Sequence, residues 1–370
     1  MRLKSRNARQ EFRGMRRIGA ALVVSVVALT GASGSRVSTA PDAPTTFRVA
    51  TFNIHKGADR EGHYNLDRTI DAIQRLGADV VGVQEAMRNH PDFHCDDQPA
   101  LIAEGLRKRT GRPWTHVHAK AWVTDNRDCL VRGRGSDVAT EGLAIFVAGP
   151  ILSSSSVRLS EGRVGLAVRT AAMPNVPVVV THLAANRDNQ RDRIHELGVL
   201  LPWTAQQGPG ILMGDLNAQP DSVELGPVRA RYRDAWADAA THGHVTGVAS
   251  GATRPGRRLS RIDYVFYEPG SSLILESAEV LDVSNLDGRG EVSDHFPVSA
   301  TFRKTAVGTH SPRTPRLCVT AADRPRAFGT LRGRSQSIRS SGTPAAQLRQ
   351  ADNLLARSRR ESNRRSRRSS

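Results

Sequence analysis

Short apolar runs recur along the chain, and acid, amide or imidazole side chains flank five of them. These polar ends are Asn53, Gln84-Glu85, His182, Asp215-Leu216-Asn217 and Asp294-His295. Each of the apolar runs is typical of a buried strand. Because open α/β sheets place their sites at one rim of strand ends, we expect the five polar ends to converge.

The rest of the pattern predicts a β-α-β opening followed by more strands than helices. The opening has a strand at 47–54, a helix beginning near Leu66 and a strand at 78–85. Residues 86–140 are expected to be rich in loops. The further predicted elements are helices at 99–109 and 187–201 and strands at 143–146, 164–170, 176–182, 211–215, 262–267, 273–283 in part and 296–302. Since several strands follow one another, two packed sheets with helices outside fit better than a doubly wound sheet.

The formal net charge of +17 over 370 residues invites a nucleic-acid interpretation, but the charge lies at the two ends. Residues 1–40 hold 8 Lys and Arg against 1 acid, and residues 303–370 hold 17 against 3. The remaining residues keep 28 of the 53 basic and 32 of the 36 acidic side chains, so the body is mildly acidic. A polyanion would therefore meet local arginine clusters or bound cations rather than a broad positive field.

The first 35 residues have the order of an export signal. Arg16 and Arg17 precede an apolar run at 18–29, and small residues follow. The apolar run is shorter than the roughly 20 residues that a membrane span requires. A buried core helix is the alternative, but the flanking residues favour a signal peptide at 1–35 and a secreted protein without stable membrane insertion.

The remaining chain divides by composition. Residues 36–46 form a predicted linker of Ser, Thr, Pro and Ala, and residues 47–302 form the predicted folded domain, which we expect to be a monomer. From residue 303 the apolar periodicity fades and Arg, Ser and Pro dominate, so the stretch 303–370 is expected to be a disordered Arg/Ser-rich tail.

Three cysteines are present, at Cys95, Cys129 and Cys318. Cys95 and Cys129 lie in polar, loop-like sequence and could form a disulfide in an oxidising compartment. Two free thiols are the alternative, and Cys318 is expected to stay unpaired in the tail.

The polar strand ends carry the groups that metal-assisted hydrolysis of a phosphate ester requires. A cation must draw charge from the phosphoryl oxygens, and another group must align and deprotonate water. Glu85 is the obvious carboxylate ligand for such a cation. A lone His182 would more simply be a core histidine, but a second imidazole, His295, also lies beside an apolar strand. Glu141 and Asp263, at strand starts, are acids that could orient the two rings.

Seven segments together resemble the endonuclease/exonuclease/phosphatase family, in that family's order. They are Ala50-Thr51-Phe52-Asn53-Ile54, Val83-Gln84-Glu85, Glu141-Gly142-Leu143-Ala144-Ile145, Thr181-His182-Leu183, Gly214-Asp215-Leu216-Asn217, Arg261-Ile262-Asp263-Tyr264 and Ser293-Asp294-His295-Phe296-Pro297. Each segment is weak alone, but the ordered set is specific. The resemblance implies a four-layer α/β sandwich, in which two packed mixed β-sheets are flanked by helices. It also implies cleavage of phosphate esters by direct water attack with Mg²⁺, or with Mn²⁺ or Ca²⁺.

The resemblance also implies which residues surround the metal and the water. Asn53 and Glu85 would lie at the metal, with Asp294 close to it. Asp215 and Asn217 would position the attacking water and the scissile phosphate.

Two imidazole pairs complete the implied site. His295 would be held by Asp263, and His182 by Glu141. Either His295 or Asp215 would take the proton of the water. Protonated His182 would stabilise the phosphoryl oxygen or the leaving group.

Several substrates agree with these motifs. A secreted nuclease is the leading interpretation. The resemblance implies that His182 is shared with deoxyribonuclease I-like, sphingomyelinase-like and inositol-phosphatase-like members, and that it separates the chain from the abasic-site repair branch. A sphingomyelinase-like lipid phosphodiesterase, a phosphomonoesterase and an inactive polyanion-binding homologue are the alternatives. The lipid enzyme would require exposed aromatic side chains, for which the candidates are Trp114, Trp122 and Trp203. The nuclease would use arginines beside the motifs, namely Arg127, Arg132, Arg134, Arg187, Arg191 and Arg193.

Overall fold

The computed structural model describes residues 46–124, 129, 138–185, 189–256 and 259–304. These residues belong to one compact unit. The predicted signal peptide, nearly all of the predicted linker and the predicted tail from residue 305 lie outside the described residues. Residues 303 and 304, which were assigned to the tail, continue the last described strand.

In the described part of the chain, thirteen strands form two mixed sheets. The first sheet has seven strands in the order β10-β12-β13-β1-β2-β4-β3, and the second has six in the order β5-β6-β7-β8-β11-β9. The strands are β1 Thr46–Asn53, β2 Val80–Arg88, β3 Thr115–Val123, β4 Thr140–Val147, β5 Ile151–Ser160, β6 Arg163–Thr170, β7 Val178–His182, β8 Ile211–Asp215, β9 Arg233–Asp234, β10 Val245–Gly247, β11 Asp263–Tyr267, β12 Leu273–Val280 and β13 Val298–Lys304.

Helices cover the outer faces of the sheets, which gives the predicted four layers. Those in the described chain are α1 Leu66–Arg75, α2 Gln98–Thr110, α3 Gln190–Gln207, α4 Gly226–Arg231 and α5 Ala235–Thr241. Side chains of Asn65 and Asp97 begin α1 and α2 by accepting hydrogen bonds from backbone N–H groups of the first turn. Helices α1 and α2 pack on the first sheet, whereas α3 packs on the second.

The core between the sheets is closely packed around one glycine. Phe52 from the first sheet and Met213 from the second are fully buried in the same apolar cluster. At Gly82 a Cβ atom would lie 2.4 Å from Val180 Cγ2 and 2.9 Å from Met213 Cε. A residue without a side chain therefore allows the two sheets to approach each other here.

Strand register brings the polar strand ends to one rim. In the first sheet β1 and β2 are parallel, and Asn53 pairs with Gln84. In the second sheet β7 and β8 are parallel, and His182 pairs with Asp215, which also pairs with Asp263 across the antiparallel β8–β11 ladder. The predicted convergence of these residues follows from this pairing.

The α/β sandwich is confirmed, but four edge strands are missing from the sequence prediction: β3, β5 and the short strands β9 and β10. Strand β3 lies within the stretch 86–140 that was expected to be rich in loops, and β5 was not predicted. Both are edge strands, and Ser153–Ser156 of β5 are exposed, so neither carries the apolar run of a central strand. Within the described chain, no helix combines the length and apolarity needed to cross a membrane.

We expect Gly82→Ala to lower the free energy of unfolding by about 1–3 kcal/mol, because the new methyl group would overpack the space between the sheets. Urea unfolding followed by circular dichroism measures the change. Gly149→Ala is the matched control, since a Cβ at Gly149 meets nothing within 4 Å. Equal stability of the two variants would contradict this account of the interface.

Candidate active site

Asn53 and Glu85 meet at the end of the first sheet. The Asn53 side-chain amide donates 3.1 Å hydrogen bonds to Glu85 Oε1 and to Asp215 Oδ2, while its oxygen accepts from the backbone N–H of His55. Asn53 therefore orients two carboxylates. Burial raises the pKa of Glu85, but the positive charge around it, including that of Lys56, and the Asn53 amide lower the pKa to about 2. Glu85 is thus ionised at neutral pH.

Asp215 connects the two sheets of the site. It is almost completely buried, its Oδ1 accepts from the backbone N–H of Asn217 at 2.9 Å, and its Oδ2 lies 3.5 Å from His182 Nε2. The side-chain amide of Asn217 donates to the backbone oxygen of Leu183, which fixes the turn after β8. Burial and the neighbouring charge of Asp263 raise the pKa of Asp215 to about 7.

His295 and Asp263 form the predicted pair. His295 Nδ1 lies 2.9 Å from Asp263 Oδ2, and His295 Nε2 lies 3.8 Å from Asp215 Oδ2. Burial lowers the pKa of His295, but the charges of Asp263 and Asp215 outweigh it and raise the pKa to about 10. The ring is therefore cationic at neutral pH, which leaves Asp215 as the better proton acceptor of the two candidates.

Backbone contacts hold this pair in place. The Thr253 hydroxyl accepts from the backbone N–H groups of Ile262 and Asp263. The buried Ser293 hydroxyl donates to the backbone oxygen of Asn53 and accepts from the backbone N–H of His295. The segment before β13 is thus tied to the end of β1.

The predicted pairing of Glu141 with His182 is not found among the described residues. Glu141 Oε2 lies 3.8 Å from Lys56 Nζ instead, and His182 faces Asp215. Burial and the positive charge of Arg163 lower the pKa of His182 to about 3, so the expectation of a protonated His182 also differs from the structure. Burial and the neighbouring Glu85 raise the pKa of Glu141 to about 7.

The donor set fits a hard divalent cation. Glu85 and Asp294 offer carboxylate oxygens, which Mg²⁺ prefers, and Mg²⁺ needs only one or two of them because it retains several waters. Asp294 lies at the mouth of the site, with Oδ1 3.9 Å from His295 Nε2 and Oδ2 3.3 Å from Arg254 Nη2. A bound cation there would polarise the phosphoryl oxygens of a substrate.

Among the described residues, two groups have ligand atoms close enough together to hold a metal ion. One consists of Asp215, Asp263 and His295, whose ligand atoms lie within 4.8 Å of one another, but these three already pair together. The other consists of Asp59, Glu61 and His63, between β1 and α1, where Asp59 accepts hydrogen bonds from His63. The Glu85–Asp294 side therefore remains the candidate metal site.

Sequence reasoning missed three cations around the site, namely Lys56, Arg163 and Arg254. Lys56 is the most informative, because its Nζ lies 3.4 Å from Glu85 Oε2. Its position three residues after Asn53 was the available signal. The distances to Glu85 and Glu141 could not be obtained from sequence, since both acids come from other strands.

Two further predictions concern residues outside the centre. Cys95 and Cys129 form a disulfide with a Cα–Cα distance of 5.7 Å.

Arg193 was wrongly placed among substrate-binding arginines, because it is buried and its guanidinium pairs with Glu224. Of the other predicted arginines, four lie outside the described residues: Arg127, Arg132, Arg134 and Arg187.

The four-layer sandwich with carboxylates, amides and two imidazoles at one rim defines a metal-dependent phosphoric ester hydrolase. The chain belongs to the endonuclease/exonuclease/phosphatase family, whose sequence profile matches residues 50–295. Members of this family generally use a divalent metal. No curated protein matches the chain significantly.

Solved structures share the fold. An endonuclease/exonuclease/phosphatase from Beutenbergia cavernae DSM 12333 is 23% identical with a TM-score of 0.54, covering 70% of this chain and 72% of that chain. The human Nocturnin catalytic domain with bound sulfate anion is 21% identical with a TM-score of 0.50, covering 71% and 97%. Humanized D. rerio TDP2 with 14 mutations is 19% identical with a TM-score of 0.50, covering 70% and 98%.

We expect Asp263→Asn to lower the pKa of His295. Because the pKa in the folded state is raised to about 10, the stabilisation from this pair is present below the unfolded value of about 6.5 and is lost as the pH rises toward 10. Removing the Asp263 charge should reduce that stabilisation and move the ring titration to lower pH. NMR titration of the imidazole ring measures it, with the exposed Asp221→Asn as control. An unchanged His295 titration would rule out the pairing.

Proposed function

We propose that this protein is a secreted Mg²⁺-dependent phosphodiesterase, and specifically a nuclease that cleaves within nucleic acid chains. The observation that carries the proposal is the connected set at the rim, in which Asp215 lies within 4 Å of Asn53, His182 and His295, and the Asn53 amide also donates to an ionised Glu85. This arrangement combines a metal ligand, a proton acceptor and a fixed imidazolium in one buried site.

Each residue has a role that follows from its charge state. Glu85, which is ionised, and the Asp294 side chain would hold the divalent ion, which supplies charge withdrawal from the phosphate when bound. Asp215, with a pKa of about 7, can accept the proton of an attacking water. The His295 imidazolium, oriented by Asp263, can stabilise negative charge on a phosphoryl oxygen. Neutral His182 can donate one ring N–H to the substrate or the leaving oxygen.

The positions of the tryptophans favour a nuclease over a lipid phosphodiesterase. Trp114 is buried, and Trp203 is partly buried against the apolar residues that α3 covers on the second sheet. The guanidinium of Arg163 stacks over the ring of Trp122. None of these side chains forms an exposed apolar wedge of the kind that enters a membrane interface. Of the chain's four tryptophans, the last, Trp236, also stacks against an arginine, Arg261.

Cations near the rim support a polyanionic substrate. Arg254 is half exposed beside Asp294, and the guanidinium of Arg163 carries no ion pair within the described chain. Arginine side chains at a site of this kind commonly contact backbone phosphates without reading base sequence. We therefore infer cleavage with little sequence preference.

Purified protein should nick supercoiled plasmid DNA with Mg²⁺ and lose that activity in EDTA. We expect Glu85→Gln and His182→Ala each to lower the rate at least about a hundredfold without unfolding the domain. The measurement is a gel-based nicking rate, run in parallel with release of phosphocholine from sphingomyelin vesicles.

Glu104→Gln and His244→Ala are the matched controls, because both side chains are exposed. Cleavage of sphingomyelin alone would move the assignment to the lipid enzyme, and activity with neither substrate would contradict both. Near-normal nicking by Glu85→Gln would overturn the assigned metal site.

Export can be tested separately. Residues 1–46, which comprise the predicted signal peptide and linker, fused to alkaline phosphatase should carry the reporter out of the cytoplasm of a bacterial host, because the apolar run at 18–29 has the length of a signal core. Val24→Arg should interrupt that run and abolish export, whereas Thr39→Arg in the linker should not. Reporter activity retained in Val24→Arg would count against a signal peptide.

A further inference from the structure

We propose that Lys56 acts as a built-in second cation of the site, so that the protein binds one divalent ion and the Lys56 ammonium supplies the second positive charge facing the phosphate. This inference rests on the metal-dependent chemistry of the proposed function. The chemical class of the ligand that Lys56 meets is an anionic phosphoryl oxygen.

The backbone at Lys56 is held in an unusual conformation. Its φ is 61° and ψ is 22°, a left-handed region that non-glycine residues rarely adopt. The Lys56 backbone oxygen accepts a 2.7 Å hydrogen bond from Gln98 Nε2, and Gln98 Oε1 accepts a 2.8 Å bond from the backbone N–H of Met87. Gln98 is fully buried, so one side chain fixes the Lys56 backbone to strand β2.

The next residue leaves little freedom for this loop. Gly57 has a φ of 76°, and a Cβ there would lie 2.9 Å from Tyr64 Cε2. Its backbone oxygen accepts from the backbone N–H of Asn65, immediately before α1. The conformation that aims Lys56 is therefore determined by contacts on both sides, as expected where a strained residue serves a site.

The ammonium lies between two acids of the first sheet. Lys56 Nζ is 3.4 Å from Glu85 Oε2 and 3.8 Å from Glu141 Oε2, and the Lys56 side chain is 34% exposed. These are the only ion pairs that Glu85 and Glu141 make within the described chain. The other Glu85 oxygen, Oε1, accepts from Asn53.

This geometry resembles the electrostatics of a two-metal site. Such sites place two cations about 3.5–4 Å apart, each shared by carboxylates, to stabilise the attacking and leaving oxygens. Here the Lys56 ammonium already lies within 4 Å of both Glu85 and Glu141. The positive charge of Lys56 would repel a second divalent ion at that position. The two carboxylates already have Lys56 as a cationic partner and require no second ion.

A neutral residue at position 56 should therefore open that position to a metal. We expect the metal-free wild-type protein to bind one equivalent of Mn²⁺ at pH 8, and Lys56→Met to bind two. Calorimetric titration and the Mn²⁺ electron paramagnetic resonance signal give the stoichiometry without an activity assay. Lys56→Gln serves as a second neutral variant, with folding followed by circular dichroism.

Three controls locate the second ion. Lys56→Arg keeps the charge and should bind one equivalent, as should Lys108→Met, which removes an exposed lysine paired with Glu104. Lys56→Met combined with Glu141→Gln should return the stoichiometry to one.

Two equivalents in the wild type, or one in both neutral variants, would overturn the role of Lys56 and leave the proposed hydrolase intact. A second ion that persists in the double variant would also overturn it. No Mn²⁺ binding by the wild type would refute the metal-dependent function itself.

Discussion

The burial of the Asp215 carboxylate is the constraint on which the site depends. A carboxylate removed from water costs several kcal/mol unless its oxygens are paired. Asp215 meets this requirement through the N–H of Asn217, the amide of Asn53 and the rings of His182 and His295. These partners come from four separate parts of the chain. Folding must bring both sheets into one relative position before the carboxylate can be accommodated.

The backbone around this carboxylate is strained in a consistent way. Glu85 and Asn217 both have positive φ values, of 59° and 51°. Such residues cost on the order of 1–3 kcal/mol each and persist only where neighbouring structure determines them. Glu85 lies where the β2–β4 ladder shifts register between Val83 and Ala86, and a bulge of this kind re-aims a side chain. The strain thus places the Glu85 carboxylate, the candidate metal ligand, at the rim instead of in the core.

Much of this architecture follows from the sequence, because central strands carry their own signal. The runs that end at Asn53, His182 and Asp215 were predicted nearly to the residue, and parallel pairing then brings their ends together. Edge strands β3 and β5 lack such runs and could not be identified in this way. Lys56 was missed for another reason, since its direction depends on Gln98, which is distant in sequence and joined to it by one hydrogen bond.

The assignment of charge to the two histidines shows where sequence reasoning ends. Both rings are buried to a similar degree, and both follow apolar strands. His295 has two carboxylates around it, and their charges outweigh burial, so the ring is cationic. His182 faces the same Asp215, but burial and the charge of Arg163 keep it neutral. Of the two rings, the one that carries the positive charge is therefore His295. Its ion pair with Asp263 forms where β11 meets the turn before β13. Glu141 pairs with Lys56 and not with either ring. Burial alone would have made the rings equivalent, so the difference in their chemistry arises from which carboxylates the fold places beside them.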